Sequence, residues 1–358
     1  MFVTSLDVKS YKNIISENVD FDKNINIFYG NNGQGKTNLL ESIYFCLSLK
    51  NFRNLKNKDL VTLGNKKCDV IVFVENKYGE NKYQISLRDN KKYVYLNGKN
   101  PGKSSIWFGN NEILTFIPDD ISYLKKSPAD RRTLIDRGIF QHDKSFLIDH
   151  RNYEKCLKQR NNLLKKDCSW KQVEPWTIQL IDYARKIVAK RIEHVELLNR
   201  NVNTIYRKIT NSNESIEINY IKNQNDDFTV EYLKNKFYRD LKYGFTLDGP
   251  HRDDIEFKIN DTLVRSGGSQ GQIKLIVLAV KLCQIDIIKN ITKRYPLILL
   301  DDIAGDLDKN RLEKFFEVLI KEKIQIFITT SNLNHLPANI VSQARCFNID
   351  SGKVISQT

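Results

Sequence analysis

The chain has 358 residues, with 57 Lys and Arg against 43 Asp and Glu and a formal net charge of +14, a length that allows one large domain with an insertion or two domains. No run of about 18 apolar residues could cross a membrane, and MFVTSLDVKS lacks the segments of a signal peptide, so a cytoplasmic protein is expected. The charge suits a polyanionic partner, because each neutralised phosphate releases counterions; a lysine-rich composition with no dedicated surface is the other reading.

In chain order, Phe2, Leu6 and Val8, then Ile25, Ile27 and Tyr29, hint at strand alternation. A helix over 37–49 follows, then strands over 70–75, 83–87 and 93–96, the last closed by an Asn97-Gly98 turn. From about residue 119 the pattern turns helical. Apolar positions at 181, 184, 188, 195, 198, 202, 205 and 209, after a break at KKDCSWKQVEP, suit a helix of about 35 residues. Residues 119–212 hold 20 Lys and Arg against 12 Asp and Glu, more than their share of the charge. Strands return over 215–220, 254–259, 296–300 and 324–328, with helices over 270–289 and 309–320 between them. That order implies a sheet flanked by helices. Cysteines at 46, 68, 156, 168, 283 and 346 include no Cys-x-x-Cys pair, which argues against zinc or redox chemistry.

GNNGQGKT fits the phosphate-loop pattern: Gly30, Asn31, Asn32, Gly33, Gln34, Gly35, Lys36 and Thr37, with Asn38 next. It follows a short strand and opens an amphipathic helix, the setting this loop requires. Gly33 and Gly35 let backbone N–H groups turn toward a phosphate, Lys36 supplies a cation, and Thr37 offers a hydroxyl to Mg²⁺. The helix N-terminus adds its dipole, so the chain is expected to bind ATP.

PLILLDDIAGDLD places two carboxylates at the end of an apolar strand. Asp301 is the expected second metal residue beside Thr37, and Asp302 the expected general base. Asp is one methylene shorter than Glu, so slow hydrolysis is expected. Thr329, Thr330 and Ser331 end the next strand, with Thr330 taken as the γ-phosphate sensor; hydroxyls capping a strand end are the competing reading.

SGGSQGQ, residues 266–272, precedes another apolar helix. Ser269 suits the N-cap, with 266–268 as an approach loop, but a cap does not explain Gly267, Gly268, Gly271 and Gln272. A phosphate loop, a Ser/Gly/Gln helix start and an Asp-Asp strand end, in that order, resemble the ABC ATPases. SYKNI, the stretch from GNNGQGKT to KNFR, FIPDDISYLKKSPADRRTLID, DGPHRDDIEF, SQGQIKLIVLAVKL and LLDDIAGDLD together resemble the RecF family, related to the heads of SMC proteins.

The resemblance implies an α/β fold, an ABC-type P-loop ATPase head plus an inserted α-helical lobe. The expected divisions are 1–118 and 213–358 for the head and 119–212 for the lobe. It implies a homodimer in which Ser269, Gly271 and Gln272 of one copy reach ATP held by the other. It places Lys12 near the nucleotide and leaves Arg252 facing DNA or the partner's nucleotide; each could equally be a salt-bridge residue. The implied role is binding of single- and double-stranded DNA in recombinational repair and replication, at the nucleoid and with no membrane, with RecR and RecO as partners. A phage-defence ATPase and a transporter ATPase subunit are the rivals. The former usually carries an added nuclease domain, for which no room is expected here. Three departures stand out: SQGQIK replaces the usual SQGQQR, GDLD replaces a loop closer to SELD, and FIPDDISYL has no Q-loop glutamine.

Overall fold

The computed structural model describes residues 1–358 except 54, 78, 103–106, 108–110, 224–226, 306, 321–323 and 358. Position 306, within the GDLD departure, thus lies outside the described residues. The chain forms two compact bodies: Met1–Asp120 with Lys208–Asn211 and Ile285–Thr358, and Ile121–Arg207 with Ser212–Gln284.

The first body holds two sheets. One is antiparallel, in the order β2 (Ile14–Asp20), β1 (Phe2–Tyr11), β4 (Lys67–Asn76), β5 (Gly79–Arg88), β6 (Lys91–Leu96). The other runs β14 (Lys353–Gln357), β13 (Ala344–Asp350), β3 (Ile25–Tyr29), β12 (Ile326–Thr330), β11 (Leu297–Asp301), β7 (Ile113–Phe116), parallel except for β14. Every residue of β11 and β12 is buried, which is why both read as unbroken apolar runs rather than alternation.

Helix α1 (Lys36–Ser48) has apolar residues around most of its circumference, and such a helix is stable only when covered. Its Leu40 and Ile43 share one core with Leu6 and Val72 of the antiparallel sheet and Phe28, Leu299 and Phe327 of the parallel one. The Asn97-Gly98 turn is present, with φ of 50° and 77° at its two residues. Strands β2, β7, β13 and β14 had no expectation from the sequence.

The second body contains α2 (Pro128–His142), α3 (Ser145–Leu164), most of α4 (Trp170–Thr210), a small sheet β10 (Thr262–Leu263), β9 (Asp254–Ile259), β8 (Ile216–Ile221), α5 (Val230–Asn235), α6 (Phe237–Tyr243) and the start of α7 (Gln270–Thr292). Helix α4 spans 41 residues, longer than expected: it begins at Trp170, inside the expected break, and carries Pro175 as an interior residue at the cost of one backbone N–H bond.

The boundary expected at 212/213 falls elsewhere: residues 212–284 cluster with the helices. The reason is side-chain pairing. Asn199 and Asn203, one turn apart on α4, act as a surrogate strand for β8. Asn199 Nδ2 donates to Ile218 O (2.8 Å) and its Oδ1 accepts from Ile218 N (3.1 Å); Asn203 does the same with Ile216 (2.8 and 2.6 Å). The GPHRDD segment is tied in as well. Arg191 donates to Pro250 O, Arg131 bonds Asp254 through two nitrogens, and Asp253 accepts from Tyr220 and from Asn223 N. Its Arg252 is exposed and lies 5.4 Å over the Phe245 ring. No described helix is long and apolar enough to cross a membrane.

Candidate nucleotide site

The chain leaves β3 into a loop that only glycine allows at two points. Gly30 has φ +143°, and a Cβ there would strike the Ile349 carbonyl. Gly35, the N-cap of α1, has φ +107°, and its Cβ would fall 2.8 Å from the Asn13 amide. Outside the loop, Gln34 O accepts from Gly352 N (2.7 Å) and Asn13 Nδ2 (3.3 Å), while Gln34 Oε1 accepts from Ser351 N (2.7 Å). The Gln34 side chain, expected among the nucleotide contacts, is therefore a clamp onto the β13–β14 turn. Asn38 Nδ2 donates to Asn13 Oδ1 (2.8 Å), bracing the same corner.

Lys36 Nζ donates to Gly30 O (2.7 Å) and Asn31 O (2.8 Å). Burial pulls its pKa down, and the carboxylates of Asp302 and Asp301 act against that. Thr37 Oγ1 and Thr329 Oγ1 each donate to Asp301 Oδ1 at 2.7 Å. Burial pushes the Asp301 carboxyl up, and these two hydroxyls oppose the shift. Oδ2 accepts no hydrogen bond from a described residue. The strand order explains the meeting: β12 lies between β3 and β11, so residues at the C-terminal ends of all three converge.

Thr330, taken from the sequence as the sensor, is not in this cluster. Successive residues of a strand face opposite sides. Thr329, paired across the ladder with Asp301, points its hydroxyl there, whereas Thr330 Oγ1 turns to Asn332 O (2.9 Å). Asp302 is exposed with φ +50°, a left-handed conformation that Asp tolerates better than most side chains. Its N–H donates to Thr329 Oγ1 (2.9 Å), and a Cβ at Gly305 would meet its carboxylate only at an ordinary contact distance of 3.7 Å.

A cleft of about 320 Å³ gathers Asn32, Gly33, Lys36, Thr37, Asn38, Asp301, Asp302 and Thr329. Lys12 also lines it, with its ammonium ion-paired to Glu41. Glu41, 1% exposed, additionally accepts from Tyr11 Oη (3.2 Å) and Phe52 N (2.8 Å). One buried carboxylate thus positions Lys12 and the Phe52–Arg53 segment against α1. Glu41, Asn13, Arg53 and Asp119 were not singled out from the sequence. A lone Glu among Leu39, Leu40, Ile43 and Leu47 was the readable signal for the first; nothing local marks the others.

The Ser/Gly/Gln helix start lies in the second body. Ser269 is the N-cap of α7 in a reciprocal capping box: Ser269 Oγ accepts from Gln272 N (3.2 Å), and Gln272 Oε1 accepts from Ser269 N (3.0 Å). Gln272 Nε2 donates to Glu214 Oε1 (2.6 Å), so that side chain, expected at the nucleotide, is engaged at both ends. Ser269 and Gly271 are exposed, and a Cβ on Gly271 would meet nothing within 4 Å. Residues Val264–Gly267 form a helical turn where an approach loop was expected. Ile273, the departure after SQGQ, is fully buried.

The donor set fits a nucleoside triphosphate with Mg²⁺. A hydroxyl and a carboxylate with an open oxygen, side by side, suit a hard cation that takes its other ligands from phosphate and water.

The RecF/RecN/SMC N-terminal domain family matches residues 2–350. The DNA replication and repair protein RecF of Lachnospira eligens is 33% identical over 365 residues, covering all of both chains. That of Syntrophotalea carbinolica is 35% identical over 360 residues and 99% of each. A solved structure of the recombination mediator protein RecF with ATP, in the RecFOR pathway, is similar at TM-score 0.89 and 29% identity, covering 100% of this chain and 97% of that one. The Smc head bound to the C-winged helix domain of ScpA, at TM-score 0.59 and 18% identity over 98% of this chain and 94% of that one, shares the fold alone. With the family pattern running nearly end to end and relatives above 30% identity along their whole length, this chain belongs to the RecF family of ABC-type ATPases.

Proposed function

We propose that the protein is a recombination mediator whose ATP-driven dimerisation controls DNA binding at single-strand gaps. The observation that carries the reading is the meeting of Lys36, Thr37 and Asp301 in one cleft, in a chain of this family. Loop N–H groups around Gly33 and Gly35 and the Lys36 ammonium hold the triphosphate. Thr37 and Asp301 hold Mg²⁺, which when bound neutralises charge on the phosphates. Asp302, fixed through its N–H on Thr329, accepts the proton of an attacking water as general base. Its short side chain reaches that water poorly, which keeps turnover slow.

Ser269 and Gly271 complete the site of a second copy of the chain. ATP then favours the closed dimer because it contacts both copies only in that state. The excess of 14 positive charges supports salt-dependent, weakly sequence-selective contacts to DNA phosphates, single- and double-stranded. Family membership supports RecO and RecR as partners in loading recombinase. The relatives favour this role over phage defence or transport.

Sedimentation of wild type, Ser269→Arg and Gly271→Arg, with and without ATP, tests the composite site. Ser269→Arg also loses a helix cap, whereas Gly271→Arg adds bulk into open space. Dimers of wild type with ATP, and monomers of both variants, are expected. A monomeric wild type, or a Gly271→Arg protein that dimerises normally, overturns it.

A further inference from the structure

Helix α6 has an unusual outer face. Its sequence FYRDLKY turns Phe237 and Leu241 inward, onto a cluster with Leu164, Cys168, Val173 and Trp170. Asp240, also inward, is ion-paired with the buried Arg160 at 2.9 Å. The remaining positions point out. Tyr238 is 80% exposed and Tyr243 58% exposed, and neither hydroxyl bonds to a described residue.

Lysines frame these rings. Lys242 stands four residues after Tyr238 on the same stripe of α6, and Lys234 lies in α5, the helix just before it. Lys165, at the end of α3, lies beside Gly244, 3.4 Å from where a side chain would begin, and Lys166 follows it. None of these four lysines pairs with a carboxylate among the described residues, while the neighbouring Arg239 does, with Asp248. The row continues through Phe245, 6.3 Å from Tyr243 between ring centres, to Arg252, whose guanidinium covers the Phe245 face. Asp167 and Glu231 are the acidic residues of these segments outside ion pairs.

We propose that this face, Tyr238 and Tyr243 with Lys165, Lys166, Lys234 and Lys242, is a docking surface for single-stranded nucleic acid. Projecting rings flanked by unpaired ammonium groups match a strand whose bases stack while its phosphates are neutralised. A duplex keeps its base faces stacked on one another and offers the rings nothing. A protein partner fits less well, because lysine is depleted from protein interfaces whereas it dominates this surface. The inference deepens the DNA-binding reading above and rests on it, by assigning the unpaired strand to one surface of the second body.

Fluorescence anisotropy of the full chain with ATP and Mg²⁺ tests it, using a labelled oligothymidylate and a duplex of equal length. The Tyr238→Ala/Tyr243→Ala protein should lose about fivefold or more in single-strand affinity per ring, with duplex affinity within about twofold. The corresponding double Phe protein should bind like wild type. Equal losses on both substrates, no loss on either, or a Phe protein as weak as the Ala protein overturns the inference while the DNA-binding reading stands. A wild type that binds neither substrate overturns both. Photo-crosslinking of an iododeoxyuridine strand to wild type reads the contact without any substitution. Crosslinks at Tyr238 or Tyr243 support it, and crosslinks mapping wholly elsewhere overturn it.

Discussion

Thr37 Oγ1 and Asp301 Oδ1 lie 2.7 Å apart, joining the phosphate loop to the end of β11 although 264 residues separate them. Thr329 donates to the same oxygen, so the carboxyl depends on two hydroxyls from two strand ends. Replacing Thr329 by Val removes one donor from a buried carboxylate. We expect a loss of about 2 kcal/mol in stability and a higher Mg²⁺ concentration for half-maximal ATP turnover, read by denaturant unfolding and a metal titration. Thr330→Val, whose hydroxyl serves only a local turn, should keep turnover near wild type.

Asp302 combines exposure with a left-handed backbone. Asn tolerates that conformation too, so Asp302→Asn should fold normally. Removing a general base is expected to lower turnover by about 10²- to 10⁴-fold. ATP binding, measured by nucleotide fluorescence, should persist. An Asp302→Asn protein that turns over at the wild-type rate rules out Asp302 as the base.

Three histidines make the second body acid-sensitive. Burial lowers His142 to about 4, His194 to about 3 and His251 to about 4, against an ordinary 6.5. Each folded-state pKa is depressed, so the unfolded chain binds more protons between about 4 and 6.5. Their contribution to stability is therefore complete above 6.5 and falls as the pH drops toward 4, with a slope of at most about 4 kcal/mol per pH unit. Asp240 and Asp253, pushed up by burial, act the other way just above the ordinary 3.8. Urea midpoints across this range should decline toward acid, and less steeply for His142→Gln.

Asn199 and Asn203 each satisfy an N–H and a C=O of β8. Leucine at either position leaves that pair of backbone groups without partners. We expect about 2 kcal/mol of destabilisation per site in thermal unfolding, with the α4 helix itself preserved.

How much of this was legible beforehand depends on distance along the chain. The phosphate loop, the apolar strand ending in Asp301 and the cap at Ser269 could be read directly, because each rests on contiguous backbone: glycines for positive φ, a strand before a carboxylate, a hydroxyl before a helix. Family resemblance extended that reading to the dimer and to DNA. The helical lobe was visible as periodicity, but its true extent was not, since the Asn199 and Asn203 pairing that draws 212–284 into it depends on side chains meeting a distant strand.

The sequence by itself determined the candidate nucleotide site, because Gly35, Lys36 and Thr37 lie in one contiguous strand–loop–helix and Asp301 ends an unbroken apolar strand. Tertiary structure alone decided which neighbours complete it. The non-sequential order of β3, β12 and β11 put Thr329 between the loop and Asp301, and the register of β12 turned Thr330 away. Helix α1 seated Glu41 where it could hold Lys12 and the Phe52–Arg53 segment. Those choices follow from strand order and facing, which arise only when separated segments share one core.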